Sequence, residues 1–300
     1  MRLVFFGTPA DAVPALEALH AAGHEVAFVV TQPDRRRGRG SEPSPSPVRA
    51  AAEALGVRVL TPERSREVVD DVAASGAELG VVVAFGQLLP QALLDALPLG
   101  YINVHFSLLP RWRGAAPVER AMLAGDTETG VCIMALEAGL DTGPVYARAT
   151  TPIAAQETAG ELRARLVALG TELLVTTVPT VPTATPAPQV GEATYADKLT
   201  VEEFALDWDQ PAVELARLVR AGNPRPGAWT TDHGHRLKIW RARPLSEGID
   251  AEPGTVFGHT RVAAGDGALE LVEVQPEGRR TMPANAWLAG RRAPDHLLGT

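Results

Sequence analysis

The sequence predicts an α/β protein built on a Rossmann-like, doubly wound and mostly parallel sheet, followed by a smaller β domain. Three observations support this prediction. Short, continuously apolar runs alternate with segments of helical spacing through the first part of the chain, as expected for strands buried on both faces of a parallel sheet. A stretch rich in Pro, Thr and Ala then interrupts the alternation. Short strand-like runs bounded by Gly, Pro or Asp follow it.

The first strand and helix set the pattern. Residues 3–6 form a short apolar run that ends at Gly7. Thr8 and Pro9 then predict the N-cap and the first residue of a helix that ends near Gly23. The turn lacks the G-x-G-x-x-G pattern that dinucleotide-binding proteins use, which argues against an NAD-dependent oxidoreductase.

The same alternation predicts the remaining elements of this domain. Further strands are expected at residues 25–31, 57–60, 81–84, 101–106, 131–136 and 144–148. Helices are expected at residues 47–55, after a Thr61-Pro62 cap, at 117–123 and at 158–178.

A long loop at residues 32–46 is rich in arginine. It carries Arg35, Arg36, Arg37 and Arg39 among Gly, Ser and Pro. Long loops without secondary structure are uncommon in compact domains unless they are functional or mobile. The loop is therefore either a solvated linker or a contact site for phosphate groups, for which arginine is well suited.

We divide the chain into three parts. Residues 1–178 form the α/β domain, residues 179–200 form an extended Pro-rich linker, and residues 201–300 form the second domain. In this last part Thr200 and Glu203 predict a capping box, and residues 211–220 a helix. Strand-like runs at 236–240, 255–257 and 269–272 fit a small barrel or sandwich.

Composition limits the class of protein. The net charge is −8, of which residues 201–300, with 12 Lys/Arg and 14 Asp/Glu, carry −2. This balance argues against a general nucleic-acid coat but allows a local basic patch. The single cysteine, Cys132, excludes an internal disulfide and is expected to be a buried thiol in a strand. No apolar run is long enough for a signal peptide or a membrane span, so we expect a cytoplasmic protein.

The candidate catalytic residues lie in two short stretches. Asn103 and His105 are two residues apart in a predicted strand, so they share one side of it. Asp141 lies in the loop 139–143. Because ligands bind at the carboxyl ends of strands in open parallel sheets, the chain's exit after His105 is the expected position of the site.

An amide, an imidazole and a carboxylate together suit addition to a carbonyl group. The carboxylate fixes the tautomer of the imidazole and favours its protonated form, while the amide donates to a developing oxyanion. Ser107 lacks the pattern of a nucleophilic serine, so we expect the substrate to supply the nucleophile. An α-amino group, with a pKa of about 7.7–8, is partly neutral at physiological pH and needs no strong base. His233 and His235 have no partner at metal-ligand spacing, so we expect His233-Gly234-His235 to form a surface turn, and we predict no metal.

At these residues the sequence resembles the folate-dependent formyltransferases. The resemblance rests on these motifs: Asn103-Val104-His105, Ser107-Leu108-Leu109-Pro110 and Gly139-Leu140-Asp141-Thr142-Gly143. It extends along nearly the whole chain through further motifs: Gly7-Thr8-Pro9, Thr31-Gln32-Pro33-Asp34-Arg35, Gly38-Arg39-Gly40, Pro45-Ser46-Pro47-Val48, Arg111-Trp112-Arg113-Gly114-Ala115-Ala116-Pro117 and Tyr195-Ala196-Asp197-Lys198-Leu199.

The resemblance implies both an activity and a set of site residues. It implies transfer of formyl from 10-formyltetrahydrofolate to the amino group of methionine esterified to initiator tRNA, with Asn103, His105 and Asp141 catalytic. It implies folate contacts from two stretches, which are Phe85, Gly86, Gln87 and Leu88, and Ser107, Leu108, Leu109 and Pro110. Arg35, Arg36, Arg37 and Arg39 would contact the acceptor stem of the tRNA. The second domain would be an OB-like barrel that holds the tRNA body, and the protein would act as a monomer. One departure is Glu42, at a position where relatives often carry lysine.

Two alternatives remain open. A formyltransferase for a small amine, such as a glycinamide nucleotide or an amino sugar, or a hydrolase that releases formate, would use the same three residues. The arginine loop and the second domain argue against both, because a small acceptor needs neither. A pure RNA-binding module would leave the polar strand end without a role.

Overall fold

A computed structural model of the chain describes residues 1–36, 43–246, 250–258, 260–289 and 297–299. The chain divides into two compact units. The first comprises Met1–Gly114, Thr129–Thr151 and Ala164–Tyr195, and the second comprises Ala115–Glu128, Pro152–Arg163 and Ala196–Thr300. Among the described residues, no helix combines the length and the apolar composition needed to cross a membrane.

The strands, in chain order, are β1 (Arg2–Gly7), β2 (Glu25–Val30), β3 (Arg35–Arg36), β4 (Pro43–Ser44), β5 (Val59–Leu60), β6 (Leu79–Val83), β7 (Tyr101–His105), β8 (Arg113–Gly114), β9 (Glu128–Ala135), β10 (Val145–Pro152), β11 (Tyr195–Ala196), β12 (Ala228–Asp232), β13 (His235–Leu245), β14 (Val256–Phe257), β15 (Arg261–Ala263), β16 (Ala268–Pro276) and β17 (Met282–Pro283). The α-helices are α1 (Val13–Ala21), α2 (Pro47–Ala54), α3 (Val69–Ala74), α4 (Gln91–Leu94), α5 (Pro117–Leu123), α6 (Ala159–Thr177), α7 (Ala212–Gly222) and α8 (Ala284–Ala289). Short 3₁₀ helices occupy Ala10–Ala12, Ser65–Val68, Val178–Thr180 and Glu202–Phe204.

A seven-stranded sheet forms the first unit, in the order β10-β9-β7-β6-β1-β2-β5. The pairs β5–β2, β2–β1, β1–β6 and β6–β7 are parallel, and β9 is antiparallel to β7. Residues 3–6 of the central strand β1 are fully buried, which explains their continuous apolar character. The predicted mostly parallel, doubly wound sheet is thus confirmed. Its centre places the carboxyl ends of β6 and β7 side by side.

The second unit contains an antiparallel sheet of six strands, in the order β12-β13-β16-β15-β14 with β17 paired to β16. Helix α7 packs against β13 and β16. The apolar core includes Trp208, Ile239 and Leu269, all buried. A C-terminal β domain is therefore confirmed, while closure of this sheet into an OB-like barrel stays a prediction.

Several local predictions need correction. Thr8 does not cap the first helix, because its hydroxyl donates to the carbonyl of Phe85, and no side chain caps the 3₁₀ turn that begins at Ala10. Thr61 likewise lies outside the next helical segment, a 3₁₀ turn that begins at Ser65. Within the predicted loop 32–46, β3 pairs with β4 in antiparallel orientation. Helix α4 was not predicted.

Other local predictions are confirmed. Thr200 and Glu203 form the capping box, in which the Thr200 backbone N–H donates to Glu203 Oε1 over 3.0 Å and the Glu203 N–H donates to Thr200 Oγ1 over 3.4 Å. Cys132 is fully buried in β9, and its burial raises the pKa of the thiol. His233 and Gly234 form a two-residue hairpin turn between β12 and β13, and both have positive φ, of 50° and 77°.

Candidate active site

His105 is the last residue of β7, and a backbone carbonyl fixes its imidazole. Its Nε2 lies 2.9 Å from the carbonyl oxygen of Trp112. A carbonyl oxygen only accepts hydrogen bonds, so Nε2 carries the proton. In the neutral ring Nδ1 is therefore the bare nitrogen, and it is the atom that can gain or release a proton.

Asp141 faces this bare nitrogen from the loop 139–143. Its Oδ2 lies 3.7 Å from His105 Nδ1, and the two side chains are only 12% and 6% exposed. The distance is too long for a hydrogen bond but short for a charge interaction in a largely buried setting. The same Oδ2 accepts the backbone N–H of Gly114 over 2.8 Å. This arrangement places a carboxylate charge beside the imidazole without a direct hydrogen bond between the two side chains.

Asn103 lies on the same side of β7 as His105. Its backbone pairs with Val82 of β6 and Met134 of β9, which places it in the middle of the sheet, and its side chain is partly exposed. Among the described residues, no hydrogen bond engages its side-chain amide. The amide can therefore donate to a ligand bound beside His105.

Unusual backbone conformations cluster around these residues. Among the described non-glycine residues, four have positive φ, and three of them belong to this region: Ala84 (46°), Trp112 (62°) and Asp141 (50°). Each such conformation costs on the order of 1–3 kcal/mol. Their concentration at one edge of the sheet is typical of a functional site.

The stretch from Phe85 to Leu88 leaves β6 next to this cluster and is held by hydrogen bonds. The carbonyl of Phe85 accepts from Thr8 Oγ1 over 3.0 Å and from Gln32 Nε2 over 2.8 Å. Gly86 has φ +81°, and a Cβ there would lie 2.6 Å from Gln32 Nε2. The positive φ favours glycine here, and a Cβ would in addition displace the Gln32 amide from its hydrogen bond to Phe85.

The predicted folate residues divide into exposed and buried side chains. Leu88 is 80% exposed and Leu108 partly exposed, whereas Phe85, Leu109, Ser107 and Pro110 are buried. Gln87 uses its amide to accept from the Ser65 backbone N–H and to donate to the Glu63 carbonyl. The buried members and Gln87 can shape a binding site through the backbone, and only the exposed members offer side chains.

Ser107 is not available as a nucleophile in this arrangement. Its fully buried hydroxyl donates to the carbonyl of Arg111 over 2.6 Å. It thereby fixes the turn that carries the Trp112 carbonyl. Sequence reasoning missed the two backbone groups that hold the catalytic pair, the Trp112 carbonyl and the Gly114 N–H, because backbone groups leave no residue pattern.

The arginine loop is only partly described. Arg35 and Arg36 form β3, and Arg37, Arg39 and Glu42 lie outside the described residues. Within the described parts of the chain, no group of three His, Cys, Asp or Glu side chains has the arrangement of a metal site.

A second polar surface, which the sequence did not single out, lies on the sheet of the second unit. The guanidinium of Arg236 lies 4.1 Å from the centroid of the Trp229 ring, and Lys238 Nζ lies 5.1 Å from that of Trp240. The cleft beside Trp229, of about 480 Å³, is lined by Trp229, Thr231, Gly234, Arg236, Lys238, Gln275, Pro276, Glu277 and Gly278. Both tryptophans are partly exposed, and cations beside accessible aromatic rings are a common platform for single-stranded or looped RNA.

Family comparisons agree with this picture. The family model described as "Formyl transferase" matches residues 1–178, and that described as "Formyl transferase, C-terminal domain" matches residues 198–292. The methionyl-tRNA formyltransferase of Paracoccus denitrificans is 50% identical over 300 residues, which cover 99% of this chain and 100% of that protein. That of Dinoroseobacter shibae is 52% identical over 301 residues, with 99% and 100% covered.

Solved structures share the fold at lower identity. HypX from Aquifex aeolicus in complex with tetrahydrofolic acid has a TM-score of 0.68 at 18% identity, covering 96% of this chain and 47% of that one. The N-formyltransferase from Helicobacter canadensis, in complex with folinic acid and dTDP-3-aminofucose, has a TM-score of 0.67 at 17% identity, covering 91% and 98%. With both family models matched and half of its residues shared with full-length relatives, this chain belongs to the formyl transferase family.

Proposed function

We propose that this chain transfers the formyl group of 10-formyltetrahydrofolate to the α-amino group of methionine esterified to initiator tRNA. The observation that carries the proposal is the group formed by Asn103, His105 and Asp141 beside a serine whose hydroxyl is already engaged. Such a site can stabilise charge but offers no nucleophile of its own. The acceptor amine must therefore be the nucleophile, as in formyl transfer.

The folate supplies an activated formyl carbon when it is bound. The exposed Leu88 and the exposed peptide at Gly86 support its binding at the end of β6, because a flat heterocycle needs apolar contact and backbone hydrogen bonds. We assign Phe85 to Leu88 and Ser107 to Pro110 to this contact, with the buried members acting through the backbone.

In our mechanism the chain's three polar groups act on the charges that develop as the amine attacks. The Asn103 amide donates to the forming oxyanion, and removal of one such donor typically lowers the rate by roughly 10²–10³. The imidazolium form of His105 stabilises the same negative charge, and the Asp141 carboxylate orients the ring and balances its charge. A water or Asp141 takes the proton that the amine releases, and that proton would then reach the folate nitrogen as its bond to the formyl carbon breaks.

Two features support tRNA as the acceptor. Relatives that share half of the residues over their full length are methionyl-tRNA formyltransferases. The Trp229–Arg236 and Lys238–Trp240 pairs offer stacking and positive charge on the second unit. We propose that they contact the tRNA body, that Arg35, Arg36, Arg37 and Arg39 contact the acceptor stem, and that the enzyme acts as a monomer in the cytoplasm, where translation begins.

The test is a comparison of acceptors at fixed 10-formyltetrahydrofolate. Initial rates are measured with Met-charged initiator tRNA, Met-charged elongator tRNA, free methionine, an amino-sugar nucleotide and glycinamide ribonucleotide. We expect rapid transfer only to the charged initiator. Preference for a small amine, or release of formate alone, would refute the tRNA assignment and favour the small-amine enzyme or the hydrolase.

A further inference from the structure

Gln189 lies in the predicted linker but contacts the loop that carries Asp141. Its Nε2 donates to the carbonyl of Asp141 and to the carbonyl of Gly143, both over 2.8 Å. Its Oε1 accepts from Arg113 Nε over 3.0 Å and Arg113 Nη2 over 2.6 Å. A side-chain amide has two donor hydrogens and two acceptor lone pairs, so all four hydrogen-bonding positions of Gln189 are used.

The neighbours of Gln189 show that this contact is specific to it. Pro188 and Val190 are exposed, whereas Gln189 is partly buried. An isolated antiparallel bridge between Ala187 and Val145 anchors the stretch before it, with N–H to carbonyl distances of 2.8 and 2.9 Å. The segment is therefore fixed on the sheet, and Gln189 turns its polar group inward between two exposed neighbours.

Thr194 anchors the other end of this segment. Its Oγ1 accepts a hydrogen bond from the backbone N–H of Trp112 over 2.9 Å. Its carbonyl oxygen accepts one from the backbone N–H of Arg113, also over 2.9 Å. The turn that Thr194 holds supplies both backbone partners of the catalytic pair, the Trp112 carbonyl for His105 and the Gly114 N–H for Asp141.

We propose that Gln189 is a positioning residue, which locks the loop 139–143 to Arg113 and so holds Asp141 Oδ2 opposite His105 Nδ1. Asp141 needs such support because its φ of +50° is unfavourable for a non-glycine residue. Two carbonyls of one loop bound by a single amide leave little freedom for that loop to relax. The positioning role rests on the proposed function, whereas the hydrogen bonds of Gln189 to the loop and to Arg113 do not depend on it.

The experiment compares Gln189→Leu and Gln189→Glu with the parent enzyme. Leucine keeps the size of the side chain and removes all four hydrogen bonds. Glutamate keeps the acceptor for Arg113 and replaces the donor to the Asp141 and Gly143 carbonyls by a carboxylate oxygen, which both carbonyls repel. It serves if the leucine variant folds poorly. Glu192→Gln, at an exposed position three residues away, is the matched control.

We expect kcat to fall about 10- to 100-fold in both Gln189 variants, since misplacement by about 1 Å can cost roughly 10² in rate. KM values for folate and for tRNA should change less than about threefold. The donors of Gln189 hold the loop that carries Asp141, and Asp141 acts mainly in the transition state. Hydrogen exchange of the peptide spanning residues 137–144 should become faster, with no change elsewhere.

Two results would overturn the proposal. One is a kcat within twofold of the parent in folded Gln189→Glu. The other is faster exchange throughout the first unit with kcat per folded molecule unchanged, which would indicate a merely structural role. Failure of the proposed function can be told apart from failure of the positioning role, because hydrogen exchange is measured without substrate. If the parent formylates another amine or water, kcat of the variants is compared on that reaction.

Discussion

Replacement of Asp141 by Asn isolates the charge that we assign to catalysis. The asparagine oxygen can still accept the Gly114 N–H, so the loop keeps its anchor and loses only the negative charge. Oδ2 lies 3.7 Å from His105 Nδ1. Coulomb's law at that separation gives about 4.5 kcal/mol at an effective dielectric constant of 20 and about 1.1 kcal/mol at that of water.

The expected loss of kcat follows from these limits. Because both side chains are largely buried, we expect an intermediate loss of about 3 kcal/mol, which corresponds to a decrease of kcat by roughly 10². The assay is single-turnover formyl transfer at saturating folate, with KM for folate measured in parallel and expected to change little. Asp70→Asn, at an exposed position on α3, is the control. Full turnover in Asp141→Asn would refute the reasoning.

Three further predictions concern other parts of the molecule. Asn103→Ala should lower kcat by roughly 10²–10³ with folate binding retained, because it removes one oxyanion donor. The double variant Arg236→Ala, Lys238→Ala should raise KM for charged tRNA and leave KM for folate unchanged. The slope of the logarithm of the tRNA binding constant against the logarithm of the salt concentration should fall in magnitude by about 2. Glu161→Gln should destabilise the fold by up to about 1 kcal/mol at pH 7, because hydrogen bonds from the Thr158 backbone and then from a guanidinium lower the pKa of Glu161 to about 2. A lowered pKa stabilises the folded state at pH values above the ordinary glutamate pKa of 4.5. In urea titrations the difference in stability from the parent should therefore shrink as pH falls from about 5 towards about 2.

Each of these predictions has a contradicting result. Wild-type kcat in Asn103→Ala would exclude the amide as the oxyanion donor. An unchanged salt dependence in the double variant would move the tRNA contact away from the second unit's aromatic surface. A stability difference for Glu161→Gln that does not change with pH would show that the charge of the carboxylate contributes nothing to stability. Glu17→Gln, at an exposed position, is the control for this variant.

The sheet was predictable because its signals are local. Buried parallel strands such as β1 need continuous apolar runs, and those runs are visible in the sequence. Asn103 and His105 could be assigned to one side of β7 by the period of a strand alone. The antiparallel direction of β9 was not predicted, because an apolar run does not reveal its direction.

The less predictable features depend on distant partners. Thr8 has the pattern of a helix cap, yet its hydroxyl binds the Phe85 carbonyl, 77 positions away. Gln189 lies in a stretch whose composition indicates an extended linker, and its partner Asp141 is 48 positions away. Trp229 and Arg236 meet only through the register of a hairpin. Such pairings are set by the tertiary fold, and no local pattern encodes them.

The most direct test of the central claim is to follow a labelled formyl group into Met-charged initiator tRNA. The full chain is incubated with 10-formyltetrahydrofolate labelled in the formyl carbon, the tRNA is isolated, and its ester is cleaved by mild base. We predict that the label is recovered as N-formylmethionine. Recovery of the label only as formate, or in a small amine with unformylated methionine on the tRNA, would contradict the proposed function.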